Sequence, residues 1–367
     1  MPDRRRPEHG ARRIQTFPYW TSNPFVQMLY AEATARGVVV TGNASTRLTV
    51  AALRDPDATG LVHLQWPSPV TDEASGAADA ERRVDEFLDA VRVAKENGRP
   101  VLWTVHNSLP HDTTHAAAAR RLHQGLADAA DVVHVLRAAT VDAVRDDYRI
   151  DPGRTVVIPH SSYHGVYGPR LAAAEARAAL GVPEGPVTVL FFGHLRPYKG
   201  LGALFDAMRA ATARGTEVRL LLAGKPSGDV AEQVGALARD GVAVTPALRF
   251  IADDEVATWF SAADVAVLPY EKILNSGTMH LAATYGVPVI LPGEPHLTAD
   301  FGDEKWVKFF DTGRTSTRSA DSIAELLDST WFLDPGAREA AVRHARIFTP
   351  SAMSRAFAEL ADRMLAR

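Results

Sequence analysis

The stretch Leu190-Phe-Phe-Gly-His-Leu-Arg-Pro-Tyr-Lys-Gly-Leu201 decides the fold, because it has the pattern of a buried strand that runs directly into a helix. The apolar run ends at Gly193. A short loop with three basic side chains follows, and Gly200 then lets the chain turn into the helix. A strand followed at once by a helix is the repeating unit of a parallel α/β sheet.

The same alternation of strands and helices extends in both directions from this stretch. In the first half, the predicted strands are Arg13–Phe17, Val38–Gly42, Leu61–Trp66, Val101–His106, Val132–Leu136 and Val156–Pro159, and the predicted helices are Phe25–Arg36, Ala80–Asn97 and Ala116–Ala130. In the second half, the predicted strands are Val187–Gly193, Val218–Gly224, Val242–Ile251, Val265–Tyr270, Val287–Leu291 and Val307–Asp311. The helices predicted there are Gly202–Arg214, Val230–Arg239, Asp253–Ala262, Met279–Tyr285, Ser319–Leu327, Pro335–Ile347 and Ser351–Ala366.

This pattern predicts two doubly wound α/β domains, which also suits a chain of 367 residues. Proline and glycine cluster between Pro159 and Pro186, so the join is expected there, with an N-terminal domain over residues 1–165 and a second domain over 166–349. Ligands bind beyond the carboxyl ends of the strands in such sheets. Two such domains facing each other would form a cleft, with its functional residues on loops that follow strands.

Composition excludes several classes of protein. The formal net charge of -4 argues against a broad nucleic-acid surface, and the absence of cysteine excludes disulfides, thiolate catalysis and zinc–thiolate sites. No apolar run reaches the ~20 residues that span a bilayer. The N-terminal MPDRRRPEHGARR is basic but has no apolar region after it. We therefore expect a cytoplasmic protein whose membrane contact, if any, is peripheral and made by these arginines.

Two loops of the second half have the chemistry of a phosphate site. In the first, Arg196 and Lys199 precede a helix start, where a two-pronged donor and a point charge suit a phosphate. In the second, Asn275-Ser276-Gly277-Thr278 supplies small capping residues and outward-pointing amide groups. The alternatives are two solvated cations and an ordinary helix cap.

The first half offers further candidates on loops after strands. His106 ends a buried strand, and Trp20–Phe25, with Asn23 capping a helix, follows the first strand. His111 is near His106 in sequence, and His160 ends the last strand of this half. We expect Trp20, Asn23, His111 and His160 to contact an acceptor. Structural histidines and an ordinary helix cap are the alternatives.

Metal and cofactor motifs are weak or missing. His111 and His115 have the i, i+4 spacing of metal ligands on a helix, but no third ligand is evident. Asp55-Pro-Asp57 is an Asp-x-Asp motif in a stretch with turn composition, which a solvated turn explains. The chain has no Gly-x-Gly-x-x-Gly fingerprint, P-loop or Gly-x-Ser-x-Gly elbow. We therefore predict neither a metal nor a cofactor.

Taken together, these segments resemble the GT-B glycosyltransferases of the family-4, or group 1, type. The resemblance covers nearly the whole chain and is strongest from Val187 to Pro292, where five motifs occur in the order of the family. They are Gly-x-Leu-x-Pro-x-Lys-Gly, Leu-Leu-Ala-Gly, Phe-Ile-Ala-Asp-Asp-Glu-Val, Ala-Asp-Val-Ala-Val-Leu-Pro and Tyr-Gly-Val-Pro-Val-Ile. The resemblance also implies that the last helix, over residues 350–367, packs back on the N-terminal domain.

The resemblance implies a role for each matching residue. Arg196 and Lys199 would hold the diphosphate of a nucleotide-sugar donor, and His106 would lie beside the transferred sugar. Further donor contacts would come from Arg249, Phe250, Ile251, Asn275, Ser276, Gly277 and Thr278.

The sequence departs from the family pattern at three places. The arginine that usually follows the strand glycine is His194, for which Arg196 is expected to substitute. The usual pair of glutamates, eight positions apart, is replaced by Ile273 and Leu281, and Glu271 is the nearby acid that would replace the first. The glycine-rich N-terminal loop is replaced by Trp20–Phe25.

The implied function is the transfer of a sugar from a nucleotide diphosphate sugar to an acceptor, with retention at the anomeric carbon and without a metal. The acceptor is expected to be a small molecule, a glycan or a lipid-linked molecule. One alternative is a nucleotide-sugar epimerase of the same fold, which needs carboxylates in the cleft. The other is a non-catalytic nucleotide-sugar binding protein, which the missing glutamates suggest.

Overall fold

The computed structural model describes residues 12–110, 113–313 and 316–366, and these form two compact units. The N-terminal unit consists of the chain up to Pro159 together with Pro350–Arg367, and the C-terminal unit consists of His160–Thr349. The division between the units thus falls between Pro159 and His160, whereas the sequence analysis placed it after residue 165.

The N-terminal unit is built on a six-stranded parallel sheet with the strand order β2-β1-β3-β4-β5-β6. Its strands are β1 (Arg13–Phe17), β2 (Val39–Gly42), β3 (Leu61–Leu64), β4 (Val101–Val105), β5 (Val132–Val135) and β6 (Thr155–Val157). Its helices before the division are α1 (Pro24–Ala35), α2 (Thr46–Arg54), α3 (Pro69–Asp72), α4 (Ala77–Glu96), α5 (Ala116–Ala129) and α6 (Thr140–Ala143).

The C-terminal unit contains a second six-stranded parallel sheet, with the strand order β12-β11-β10-β7-β8-β9. Its strands are β7 (Val187–Phe192), β8 (Val218–Ala223), β9 (Ala243–Ala247), β10 (Val265–Val267), β11 (Val289–Pro292) and β12 (Val307–Phe310). Its helices are α7 (Ala173–Ala179), α8 (Leu201–Ala213), α9 (Val230–Arg239), α10 (Val256–Ala262), α11 (Gly277–Thr284), α12 (Pro295–Phe301), α13 (Ser316–Asp328) and α14 (Pro335–Ile347).

Burial on both faces explains the composition of the central strands. Every residue of β3, β4 and β10 is buried, which is why these strands are mostly apolar rather than alternating. The polar exceptions are His63 on β3 and Thr104 on β4, which are also buried. The helices that connect parallel strands cover both faces of such a sheet. The doubly wound α/β fold predicted from sequence is therefore confirmed for each half.

The last helix, α15 (Pro350–Leu365), packs against α1 of the N-terminal unit. The Ser354 hydroxyl accepts from the Glu32 amide at 2.7 Å, and Arg36 pairs with Asp362 at 3.0 Å. The Phe357 ring contacts Tyr30, with centroids 5.3 Å apart. These contacts join the last helix of the described chain to the first one.

The sequence analysis missed short helices and overextended some strands. It did not predict α2, α7 and α12, which have only seven to nine residues, fewer than a periodicity window needs. It extended β9 to Ile251, but the strand ends at Ala247 and the following residues leave the sheet. Those residues reappear in the site described below.

Candidate functional site

The topology of the C-terminal sheet marks one point on its edge. β7 connects through α8 to β8 on one side, whereas its neighbour on the other side is β10, so the strand order reverses between β7 and β10. Ligands of doubly wound sheets bind at this switch point, outside the carboxyl ends of the strands. The loops that leave it, β7–α8 and β10–α11, are the two loops for which the sequence predicts a phosphate site.

Three groups from these loops converge beside the end of β7. A Cβ atom placed on Gly193 would lie 3.5 Å from the Lys199 ammonium nitrogen and 4.0 Å from the Thr278 hydroxyl. Lys199 ends a single 3-10 turn, Pro197–Lys199, and Thr278 lies in the first turn of α11. An ammonium, a hydroxyl and the start of a helix therefore surround a position that has no side chain of its own.

Glycines let the neighbouring loops approach this position. Gly200 has φ +68°, and a Cβ there would lie 1.8 Å from the Pro269 carbonyl oxygen in the β10–α11 loop. At Gly224, which follows β8, a Cβ would lie 1.8 Å from the carbonyl oxygen of Gly193. The Glu271 amide also donates to the Tyr198 carbonyl at 3.2 Å. The loops therefore pack backbone to backbone, and their relative positions are fixed.

The start of α11 is arranged as an anion site is. Ser276 caps the helix by accepting from the Met279 amide at 3.4 Å. Gly277 is the first helical residue, and a Cβ there would lie only 2.6 Å from the Tyr163 hydroxyl. A helix start carries partial positive charge and amide groups without partners inside the helix, which favours an anion.

Positive charge accumulates around the same edge. Partial burial lowers the pKa of His194, and the nearby cations Arg196, Lys199 and Lys225 lower it further. The Lys199 ammonium also lies 5.0 Å from the centre of the Tyr270 ring, a cation–π distance that keeps it over the loop. The lowered pKa of His194 thus reflects, in part, the positive potential that the three cations create at this edge.

A cavity of about 170 Å³ lies next to these cations. It is lined by Phe192, Gly193, His194, Gly224, Lys225, Phe250 and Ile251. Phe250 is 71% exposed, which is unusual for a phenylalanine, and Ile251 is buried. Phe250 and Ile251, which follow the end of β9 at Ala247, thus form one wall of this cavity. Arg249 instead pairs with Glu255 through both guanidinium nitrogens, at 2.5 and 2.7 Å, and does not line it.

The positions of the missing family glutamates are part of the core. Ile273 and Leu281 are each 6% exposed and belong to the apolar cluster of the C-terminal unit. Glu271 is exposed on the β10–α11 loop, next to the cation-bearing turn. Of these three positions, Glu271 alone presents a carboxylate.

The N-terminal sheet has a switch point of its own between β1 and β3. The loops after β1, β3 and β4 bring together Trp20, Trp66 and His106. The Trp66 and His106 rings stack with centroids 3.8 Å apart, and Trp20 lies 5.2 Å from Trp66. The Phe25 ring contacts the His106 ring edge to face, with centroids 5.0 Å apart. The side chain of Asn23 caps the helix by accepting from the Phe25 amide. The result is an aromatic platform with a histidine in it.

Behind this platform, buried polar side chains cross the sheet in a hydrogen-bond chain. At one end, the Ile158 carbonyl can only accept, so His134 donates to it from Nε2 at 2.9 Å. Burial lowers the pKa of His134 to about 4, so the ring is neutral and its Nδ1 accepts from the Thr104 hydroxyl at 2.9 Å. Thr104 must then accept from His63 Nε2, 2.7 Å away.

The remaining proton positions in this hydrogen-bond chain follow from His63. Burial holds the pKa of His63 well below its ordinary value, so its Nδ1 accepts from the Tyr30 hydroxyl at 2.6 Å. Tyr30 has one proton, so in its 2.9 Å contact with Thr16 the Thr16 hydroxyl is the donor. Tyr30 in turn accepts from the Gln65 amide nitrogen at 3.0 Å, which turns the Gln65 oxygen toward His106 Nε2 at 3.1 Å. Because the Gln65 oxygen can only accept, His106 carries a proton on Nε2.

The structure brings many of the predicted site residues into two groups. Lys199, Thr278 and the α11 cap form the first, and Trp20 and His106 belong to the second. His160 lies in the C-terminal unit, buried and stacked on His280 with ring centroids 4.6 Å apart. His111 lies outside the described residues, as does the N-terminal segment up to residue 11.

Sequence reasoning missed Gln65, Trp66, Tyr163 and Lys225. Gln65 and Trp66 had a usable signal, because they directly follow a buried strand, as His106 does. Nothing in the local sequence marks Tyr163, whose hydroxyl reaches Gly277 only through the fold.

The described residues carry neither a cluster of metal ligands nor a helix that could span a membrane. No group of three or more histidine, cysteine, aspartate or glutamate side chains there is arranged to hold a metal ion. Asp55 accepts from the Asp57 amide at 3.0 Å, so this motif forms a turn. Among the helices described, none has the length and apolar character needed to cross a bilayer.

Comparison with known sequences identifies relatives. The family model for glycosyl transferases group 1 matches residues 186–328. A GDP-mannose:glycolipid 4-beta-D-mannosyltransferase of Xanthomonas campestris is 28% identical over 237 residues, which are 63% of this chain and 61% of that protein. A D-inositol 3-phosphate glycosyltransferase of Corynebacterium efficiens is 30% identical over 277 residues, 71% of this chain and 63% of that protein. The matches thus span about three fifths of the length of these relatives.

Comparison with solved structures extends over nearly the whole chain. Anabaena Alr3699/HepE, crystallised with UDP and glucose, superimposes with a TM-score of 0.68 at 16% identity, covering 96% of this chain and 100% of that one. Sucrose-phosphate synthase from Thermosynechococcus elongatus gives a TM-score of 0.65 at 16% identity, covering 97% and 99%. Residues 186–328 thus match the family model for glycosyl transferases group 1, and the two parallel sheets have the GT-B fold.

Proposed function

We propose that this protein transfers a sugar from a nucleotide diphosphate sugar to an acceptor, with retention at the anomeric carbon and without a metal. The observation that carries the proposal is the convergence of the Lys199 ammonium and the Thr278 hydroxyl on Gly193, at the switch point of the C-terminal sheet. Retention and independence of a metal rest on the family resemblance.

The proposed mechanism is electrostatic. As the bond to the sugar breaks, negative charge develops on the leaving diphosphate. Lys199 and Arg196 would stabilise that charge, together with the amide groups of the Ser276–Thr278 helix start. These groups are held by the backbone contacts at Gly200 and Gly224, so little reorganisation is needed when the charge develops.

The cavity beside the cations would take the nucleobase. Phe250 offers an exposed ring for stacking, and Ile251 offers an apolar wall. The ribose would need contacts other than those of the family glutamates, because Ile273 and Leu281 are in the core. We assign Glu271, with its exposed carboxylate on the same loop, to the transferred sugar.

The aromatic platform of the N-terminal unit would bind the acceptor. Trp20 and Trp66 present flat apolar faces of the kind on which a sugar ring packs, and Asn23 holds the helix that positions Phe25. His106, with its proton fixed on Nε2, would contact the sugar. The named relatives act on a glycolipid and on an inositol phosphate, so both acceptor classes belong in the first screen.

The proposal is tested by removing the Lys199 charge. UDP- and GDP-sugars are screened as donors, because the Anabaena structure holds UDP and the Xanthomonas relative is named for GDP-mannose. With the best donor, Lys199→Ala should lower the transfer rate by at least about 100-fold. Lys305→Ala removes an exposed lysine just before β12 and should leave the rate unchanged. Equal rates for the two folded variants would refute the assignment.

A second measurement separates transfer from the alternatives. Product analysis with donor but no acceptor detects an epimerised nucleotide sugar directly. Donor binding without turnover over the acceptor screen would instead favour a binding protein. In both cases the nucleoside diphosphate affinity, measured by calorimetry, tells whether the phosphate site itself is correct.

A further inference from the structure

The C-terminal unit contains a second positively charged cavity, away from the switch point. It has a volume of about 540 Å³ and is lined by Arg170, Arg338, Glu339, Val342, Arg343, Arg346 and Ile347. All but Arg170 lie on α14, at spacings that put them on one face of the helix. Four guanidinium groups thus face one concave surface that has one carboxylate of its own.

The fold brings Arg170 to this cavity. Its segment is tied to the unit by the Tyr285 hydroxyl, which donates to the Gly168 carbonyl at 2.8 Å. A Cβ on Gly286, which has φ +66°, would lie 3.3 Å from an Arg170 guanidinium nitrogen and 2.9 Å from a Val342 methyl group. Glycine at this position therefore leaves room for Arg170 and α14 to meet.

The charges in this cavity are not balanced by acids. Arg338 pairs with buried Asp264 at 3.0 Å, but Asp264 also pairs with Arg177 at 2.7 Å. Arg170, Arg343 and Arg346 have no acidic partner among the described residues, whereas many exposed arginines, such as Arg92 and Arg121, have two. Burial lowers the pKa of Arg338, and repulsion from Arg170 and Arg177 adds to the effect.

Two ordinary explanations cover part of this pattern. Arg346 is in the last turn of α14, where a cation stabilises the helix dipole, and exposed arginines promote solubility. Neither explains why four of them line the same cavity, where like charges repel one another. Nor does either explain Ile347, which is 63% exposed beside Arg343 and Arg346. A bound anion would relieve the repulsion, and an attached carbon chain would cover the isoleucine.

We propose that this cavity binds the phosphate or diphosphate group of an organic ligand, whose carbon chain lies against Val342 and Ile347. Arginine suits this ligand because its planar fork donates two parallel hydrogen bonds to phosphate oxygens. The same group occurs in a phospholipid head group and in a soluble organic phosphate. The geometry accepts both.

The test removes two charges without touching the core. Arg343→Gln with Arg346→Gln changes exposed side chains only, whereas Arg338 is kept because its loss would leave Asp264 with one partner fewer in the core. The matched control is Arg47→Gln with Arg239→Gln, two exposed arginines without acidic partners in the described part of the chain. All proteins also carry Lys199→Ala, so that phosphate bound at the switch point contributes little.

Two probes distinguish the sources. Pyrophosphate binding is measured by calorimetry, and membrane binding is measured by co-sedimentation with phosphatidylcholine vesicles with and without phosphatidylglycerol. In at least one arm, the Arg343/Arg346 variant should bind at least about tenfold more weakly than the parent, and the control should bind as the parent does. A pyrophosphate effect identifies a soluble ligand, and a vesicle effect a lipid. Absence of binding in both arms, or an equal loss in the control, overturns the proposal.

Discussion

Thr104→Val tests the buried hydrogen-bond chain of the N-terminal unit at its centre. Thr104 is fully buried on β4, and its hydroxyl accepts from His63 and donates to His134. Valine has nearly the same shape, so the packing of the strand is kept while both hydrogen bonds are lost. The experiment therefore isolates the polar contribution of one atom.

The expected loss of stability follows from the groups that remain. Without the hydroxyl, the His63 Nε2–H and the His134 Nδ1 are both left unpaired in the core. A buried group without its partner costs about 1–3 kcal/mol, so the two together should destabilise the unit by roughly 2–6 kcal/mol in Thr104→Val. Thr104→Ser keeps the hydroxyl and loses one methyl group, which costs about 1 kcal/mol. The order of the two variants is thus opposite to that expected from apolar packing alone.

Urea unfolding measures this difference if the N-terminal unit is observed by itself. Tryptophans occur in both units, so hydrogen exchange of peptides from β3 and β5 is the better probe. Nitrogen-15 spectra of the wild-type histidines add an independent test, because the deduced direction requires the proton on Nε2 of His63 and His134. Equal stability of Thr104→Val and Thr104→Ser, or a proton on Nδ1 of His134, would refute the proposed direction of these hydrogen bonds.

Three further predictions concern stability and the nucleotide site. Burial lowers the pKa of His123 and His134 to about 4, so between pH 6.5 and 4 the unfolded chain binds protons that the folded chain does not. As the pH decreases through this range, the free energy of unfolding should decrease by about 1.4 kcal/mol per pH unit for each histidine. A urea midpoint that stays constant from pH 7 to pH 5 would contradict this. Gly200→Ala should lower the free energy of unfolding by at least about 2 kcal/mol, because Gly200 has φ +68° and an added Cβ would clash with the Pro269 carbonyl. The control Gly202→Ala, in open space on α8, should be neutral or stabilising. Equal effects of the two substitutions in urea unfolding would argue against the loop packing. Phe250→Ala should weaken nucleotide binding about tenfold in calorimetry without lowering Tm, because the Phe250 ring is exposed. Leu48 is also exposed, and the control Leu48→Ala should change neither the affinity nor Tm. Unchanged nucleotide affinity of the Phe250 variant would exclude Phe250 from the base site.

The fold was predictable because its signals are local. The central strands are short and mostly apolar, and the long helices have a periodicity of their own, so Arg13–Phe17 and Pro335–Ile347 were located to the residue. The short helix α7 was missed because its seven residues, mostly alanine, have no distinctive apolar face. Strand β9 was overextended because Leu248–Ile251 is as apolar as a strand, although Phe250 is exposed.

The candidate sites were predictable only where one loop carries the signal. Arg196, Lys199 and the Ser276 cap are recognisable from adjacent residues, and so is His106 at a strand end. The contact of Gly277 with Tyr163 joins residues more than a hundred positions apart, and no local pattern contains it. The same holds for the arginine cavity, where Arg170 meets a helix that begins at Pro335.

One topological rule gives each sheet a site, and the residues at the strand ends decide what it binds. In the C-terminal sheet, the strands at the reversal lead into glycines, a lysine and a helix cap, so the edge is positive and open to backbone approach. In the N-terminal sheet, β1 and β3 lead into Trp20 and Trp66, so the same edge is flat and apolar. The buried chain then has a reason to cross that sheet: it fixes the proton of His106, the polar ring in an otherwise apolar platform. A platform that only packed against other residues would not need a histidine whose donor atom is fixed by a hydrogen-bond chain across the strands.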